Sequence, residues 1–287
     1  MPVVFDDAVC IRVWDWSETS QTVSLFGREI GVVRGLAKGA RREKAPFSGG
    51  FEVPMRGEAG VIIKHNADAL ATLTQWDLRE IFSPVRQSLG NFYAAMAIAD
   101  IVHHAIRDHD PHPGLYDAML LSLRSIATSG PTAALVQFLW ATLTETGYRP
   151  ELTEDVRRGG RLETQPDAPI AFSPRLGGFF TLQSGERAEE LGAWRVRVET
   201  MRLLVQVSAA PAWAPAADSQ PHADRAARLL AAYLREVIGT DIAALGPALG
   251  AALGSGAGKP PGQALGGAGT SVSAAESVSR TDQSPNR

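Results

Sequence analysis

Lys38, Arg41, Arg42 and Lys44 fall within the ten residues GLAKGARREK (35–44), with Arg34 immediately before them. From Arg28 to Lys44 there are six basic residues against two acidic ones, Glu29 and Glu43, in a chain whose formal net charge is −3. Cations gathered on a short segment hinged by Gly35 and Gly39 suit one chemistry above all. They displace condensed counterions from phosphate while the backbone follows a nucleic-acid strand. Arginine offers phosphate a fork of donors, and lysine offers a point charge. Trp16 and Phe47 flank the segment in sequence, with Trp14 and Phe51 further out, and a ring so placed can stack on an unpaired base for about 1–3 kcal/mol. The same aromatics also suit the interior of a small β-domain, and the basic run also suits a solvated turn.

A second cluster is HHAIRDHDPHP, in which His103, His104, His109 and His112 alternate with Asp108 and Asp110. Histidine and aspartate gathered from several helices bind divalent metal and activate water in HD-type metal-dependent phosphohydrolases. Neighbours on a helix point about 100° apart, however, and no downstream His/Asp pair at helical spacing completes a site around His103 and His104. The competing reading is a polar helix end and loop. A P-loop, a dinucleotide glycine fingerprint and a nucleophile elbow are all missing, so a non-enzyme is expected. A scaffold that binds only other proteins is the third reading, separated from the first by salt-sensitive DNA binding.

The whole chain frames these clusters. Its 287 residues are 45% hydrophobic and 21% charged, enough for one or two cores. A sequence pI of about 6.1 excludes a surface that coats nucleic acid everywhere and leaves room for a local patch. No run approaches the roughly 18 apolar residues of a membrane span, and MPVVFDDAVC lacks a signal-peptide layout, so a cytoplasmic, nucleoid-associated protein is expected. Cys10, the single cysteine, cannot form an intramolecular disulfide and reads as a small core hydrophobe.

The elements that must position the basic segment are β-strands. AVCIRVWDW, QTVSLF, IGVVRGLA, FEVPMR, GVIIKH and ALATLTQW are short, rich in Val, Ile, Phe and Trp, and separated by turn residues, which predicts a five- to six-stranded barrel over 1–82. After Ser83-Pro84 the spacing changes to three and four residues, giving helices in LGNFYAAMAIADIVHHAIRD, LYDAMLLSLRSIATSG and PTAALVQFLWATLTETG. An α-helical domain over 83–245 follows, with an irregular subregion at 148–185 carrying a short hairpin near GGFFTL. Helical patterning returns in RAEELGAWRVRVETMRLLVQV and HADRAARLLAAYLREVIG. Residues 246–287 are mostly Gly, Ala, Ser and Pro, which predicts a disordered tail.

The run from Asp15, with Glu18-Thr19-Ser20 leading to a strand and then Gly31, Ala37, Lys38, Gly39, Ala40, Arg41 and Arg42 in order, resembles the N-terminal segment of the bacterial RecO recombination-repair proteins. HPGLYDAMLLSL, LTETGYRPEL and FSPRLGGFF extend the likeness over about residues 1–240. The resemblance implies an oligonucleotide-binding (OB) barrel followed by helices. It implies a non-catalytic mediator that binds single- and double-stranded DNA, anneals complementary strands and works with RecR to load RecA on strands coated by single-strand-binding protein. DNA contacts are then expected from Arg34, Lys38, Arg41, Arg42 and Lys44, with stacking by Phe47 and Trp16. The acidic-apolar tail of single-strand-binding protein would dock on helical cations such as Arg107, Arg124, Arg195, Arg197 or Arg202. Many members hold zinc with two cysteine pairs, whereas this chain has Leu152–Arg157 at the first place and Thr181 and Ser184 at the second. No zinc and no cofactor are therefore expected, with the subregion held by packing alone.

Overall fold

The computed structural model describes residues 2–63, 69–162, 165, 167–210 and 220–251. Strands β1 (Val4–Asp15), β2 (Gln21–Gly27), β3 (Gly31–Ala37), β5 (Arg56–Ile62) and β6 (Ala71–Glu80) close into a barrel, and the two-residue β4 (Phe47–Ser48) lies outside it against β6. The order is β1-β2-β3-β6-β5 and back to β1, all antiparallel except the parallel β3–β6 closure. This is an OB-like five-stranded barrel. FEVPMR, expected as a strand, instead forms a turn that leads into β5 at Arg56.

Alternation along the strands gives the barrel two apolar faces. Ala8, Cys10, Val23, Leu25, Val33, Ala37, Ala59, Val61, Leu73 and Trp76 fill the interior. Val9, Ile11, Phe26 and Val32 point outward and join the core of the helical domain. Burial pushes the Cys10 thiol pKa well above its ordinary value, in keeping with an inert core residue.

Helices α1 (Leu89–Ala105), α2 (Pro113–Ser129), α3 (Pro131–Glu145), α4 (Val198–Ala209), α5 (Gln220–Ile238) and α6 (Leu245–Ala251) make up the second layer. Ser88 caps α1 by accepting from the Asn91 N–H, and prolines occupy the first turns of α2 and α3, where a missing N–H costs nothing. Two expectations need correction. AWRV, taken as part of a helix, is strand β9 (Trp194–Val196), which pairs with β7 (Ile170–Ser173), itself in a hairpin with β8 (Gly178–Thr181). The expected tail, 246–287, begins too early, because α6 continues to Ala251 and places Ala248 in the core; residues 252–287 lie outside the described residues.

Four ion pairs tie barrel to helices: Arg12–Asp100, Arg28–Asp117, Arg34–Asp108 and Arg124–Glu80. Between them the loop 107–112 lies along the start of β3, where the His109 N–H donates to the Val32 carbonyl at 2.9 Å. Gly31 makes that approach possible. Its φ is +69°, and a Cβ there would stand 2.5 Å from the Asp110 carbonyl oxygen. Gly31→Ala is expected to cost about 1–3 kcal/mol, read as a lower urea midpoint with an unchanged slope.

The subregion at 148–185 is not held by packing alone. One oxygen of the Asp155 carboxylate accepts the backbone N–H groups of Arg157 and Arg158, and the other accepts that of Thr181, each at 2.9 Å. Glu186 accepts from the Gln183 N–H at 2.9 Å and from the guanidinium groups of Arg157 and Arg158 at 3.1–3.3 Å. The Arg157 guanidinium lies 4.9 Å over the Phe180 ring. The carboxylates of Asp155 and Glu186 thus join the segment around Arg157 and Arg158 to that around Thr181 and Gln183.

Candidate nucleic-acid interface

The β1–β2 turn and the segment after β3 are sewn to one another. Ser20 Oγ accepts the Gly39 N–H at 3.0 Å, and the Thr19 carbonyl accepts the Arg41 N–H at 3.1 Å. Ser17 Oγ and the Ser20 carbonyl close the β1–β2 turn itself. The chain then winds through successive tight turns, with the Arg42 N–H donating to the Gly39 carbonyl and the Ala45 N–H to the Arg42 carbonyl, both at 3.0 Å. Gly39 has φ +72°, a backbone state that explains a glycine in the midst of cations.

With its backbone held this way, the segment exposes Lys38, Arg41, Arg42 and Lys44. Arg41 pairs with Asp15 at the end of β1, while Lys38, Arg42 and Lys44 have no ion-pair partner among the described residues. Arg34 is differently placed. It points out of β3 into the barrel–helix seam, where Asp108 accepts from its Nε at 2.8 Å and its Nη2 at 2.5 Å, so its charge is compensated. A free cation gains more from a phosphate than one that must first leave a carboxylate.

The aromatic expectations divide. Phe47 is not a surface platform: it is 6% exposed, because β4 pairs with β6 and turns the ring toward Phe51, 5.6 Å away. Phe51 is buried too, against Trp76. Trp16, in the β1–β2 turn, is 61% exposed. Trp14 is 39% exposed on the outer face of β1 and lies in neither core, with its ring 6.3 Å edge-on from His103 of α1.

Of the clustered histidines, His109 through its backbone and His103 through its ring reach the barrel, while His104 and His112 face carboxylates on their own element or loop. His104 lies 3.5 Å from Asp100, the His109 backbone bonds β3, and His112 Nε2 is 3.3 Å from Asp110. Burial, with Arg12 and His104 alongside, lowers the His103 pKa, so its imidazole is uncharged at neutral pH. Among the described residues no three His, Cys, Asp or Glu side chains are grouped to hold a metal ion.

Two family models match the chain: "Recombination protein O N terminal" over residues 1–82 and "Recombination protein O C terminal" over residues 86–245. The chain belongs to the RecO family. The DNA repair protein RecO of Desulfitobacterium hafniense is 30% identical over 198 residues, covering 68% of this chain and 70% of that one. The RecO of Rhodopirellula baltica is 35% identical over 144 residues, covering 50% and 53%. That of an Anaeromyxobacter species (strain Fw109-5) is 28% identical over 237 residues, covering 82% and 91%. A role in DNA repair follows from this membership.

In this member of the RecO family the hydrogen bonds join Thr19 and Ser20 to Arg41 and Gly39 and give the two segments a joint physical role. Ser20, buried and without charge, carries no signal that sequence reading would assign to a binding site, yet it sets the position of Gly39. Ser20→Ala leaves the Gly39 N–H without its acceptor and is expected to cost about 1–3 kcal/mol of stability in a denaturation curve. A severalfold loss of DNA affinity is expected with it, since the cationic segment loses its anchor.

Proposed function

We propose that this chain acts in recombinational repair as a non-catalytic mediator. It binds single- and double-stranded DNA without base reading, anneals complementary strands, and together with RecR promotes RecA loading on DNA coated by single-strand-binding protein. The observation that carries this reading is the anchored segment after β3, which exposes Lys38, Arg42 and Lys44 with no carboxylate partner among the described residues and Arg41 beside them. Phosphate is the ligand such a surface suits, and the segment offers no recognition helix or other device for reading base edges. Trp16 adds a stacking ring at the adjoining turn.

Partners would meet the helical domain. An open cleft of about 770 Å³ combines Arg149 and Arg175 with Tyr148, Leu176 and Tyr233, beside Glu151 and Glu236. Cations next to apolar side chains suit the acidic-apolar tail of single-strand-binding protein. Of the cations expected on helices for that tail, Arg124 on α2 is engaged by Glu80, whereas Arg107 in the loop 107–112, Arg195 on β9 and Arg197 just before α4 lie off the helices and are exposed. No helix among the described residues is long and apolar enough to cross a membrane; a cytoplasmic, nucleoid-associated location is part of the proposal.

The test is annealing of complementary oligonucleotides, bare and coated with single-strand-binding protein, with and without RecR. Acceleration on both substrates is expected. A chain that leaves both rates unchanged and does not bind DNA at low salt refutes the proposal in favour of a protein-only scaffold.

A further inference from the structure

Side-chain direction alternates along a strand, so cross-strand register shows which residues share the barrel's outer face. Trp14 pairs with Thr22, and Thr22 with Leu36, forming one row across β1, β2 and β3. Lys38 stands just past the end of β3, two residues after Leu36, and is exposed. Strands lie about 4.8 Å apart, so β1 and β3 are separated by about 10 Å, within three phosphate steps of about 3.4 Å. In OB barrels this face of strands 2 and 3, with the turn between strands 1 and 2, is where oligonucleotides lie.

The face does not end at the barrel. His103 on α1 stands edge-on to Trp14, and His104 lies 5.0 Å from His103. Trp14 and Trp16 are 39% and 61% exposed and belong to neither core. An exposed aromatic surface beside unpaired cations suits a ligand with both flat faces and phosphates.

Resting on the DNA-binding reading above, we propose that Trp14, Trp16 and His103 form a stacking platform for unpaired bases, so that a single strand held at its phosphates by Lys38 and Arg42 crosses from the barrel onto α1. Duplex DNA keeps its bases stacked on one another and gains nothing from the platform. The consequence is a preference for single strands that the cationic segment alone does not provide, and a share for the helical domain in the site.

The full chain is titrated by fluorescence anisotropy with an oligo(dT) of roughly 15 nucleotides, near the upper site size of an OB barrel, and with a duplex of equal length. Trp14→Leu and His103→Ala are each expected to weaken oligo(dT) binding about tenfold, while duplex affinity and the slope of log K against log salt stay as in the unsubstituted chain. Trp14→Phe, which keeps a ring, is expected to retain most of the affinity. The ratio of single-strand to duplex affinity is the decisive readout, because partial unfolding lowers both together. In the unsubstituted chain, photocrosslinking to bromouracil-substituted oligo(dT) is expected to mark Trp14, Trp16 or His103. An unchanged ratio, or adducts confined to residues 38–44, overturns the platform and leaves phosphate binding standing. Failure of both oligonucleotides to bind in low salt overturns the DNA-binding reading as well.

Discussion

Replacing Lys38, Arg41 and Arg42 together by alanine is expected to lower DNA affinity roughly 10- to 100-fold near physiological salt. Each lost phosphate contact should also reduce the slope of log K against log salt by about 0.7–0.9, so the three together flatten it by about two units or somewhat more. Anisotropy titrations at several salt concentrations measure both quantities. The three positions are not equivalent. Arg41 already faces Asp15, so part of its charge is compensated, and its single substitution should cost least. Arg34→Ala is the informative control. Its guanidinium holds Asp108 across the barrel–helix seam, so the change should weaken the fold more than it weakens DNA binding. Unchanged affinity and slope in the triple variant would exclude this segment as the phosphate site.

Asp155→Ala is expected to destabilise the subregion around β7 and β8 by about 2–4 kcal/mol, because three backbone N–H groups lose one shared acceptor. Hydrogen exchange should show the loss concentrated at Arg157, Arg158 and Thr181, with amides in the barrel unaffected. The effect has a definite pH dependence. Burial opposes ionisation of Asp155, but the N–H groups of Thr181, Arg158 and Arg157 outweigh it and hold the carboxyl below the usual aspartate range. A carboxyl with a lowered folded pKa contributes stability above its unfolded value, near 3.8, and loses it as pH falls through the folded value. The difference between the unsubstituted chain and Asp155→Ala should therefore be full at pH 7 and shrink below about pH 4. Glu186 is held low for related reasons, first the Gln183 N–H and then Arg158 and Arg157, so acid should loosen both ends of this network together. A chelator is expected to leave the melting temperature unchanged, and a drop on chelation would show that metal contributes to this subregion after all.

Much of the architecture was legible because its signals are local. Val23 and Leu25 alternate with Ser24 in a strand, and Leu89, Phe92, Tyr93 and Met96 recur at helical steps, so barrel and helices could be read in order along the chain. The failures also have local causes. AWRV sits between two helical patterns and was absorbed into them, although its place in a sheet depends on β7, more than twenty residues earlier. Ala248 was lost in a Gly/Ala-rich composition, yet a helix of small residues can pack closely against α1. Phe47 stands beside the cations in sequence, and only the pairing of β4 with β6 turns its ring inward.

The sequence by itself determined that a cationic, glycine-hinged segment follows a strand in a small β-barrel, that helices come next, and that Cys10 is the single cysteine. Composition and periodicity suffice for this, since they depend on residues a few positions apart. The tertiary structure alone decided which cations are free and which are compensated. Asp15 reaches Arg41 across 26 residues and Asp108 reaches Arg34 across 74. It also decided that Ser20 anchors Gly39, that Trp14 meets His103, and that Asp155 joins Arg157 and Arg158 to Thr181. Those pairings are products of barrel closure and helix packing. An ionic or aromatic side chain carries no mark in its own neighbourhood of the partner that chain closure will bring to it.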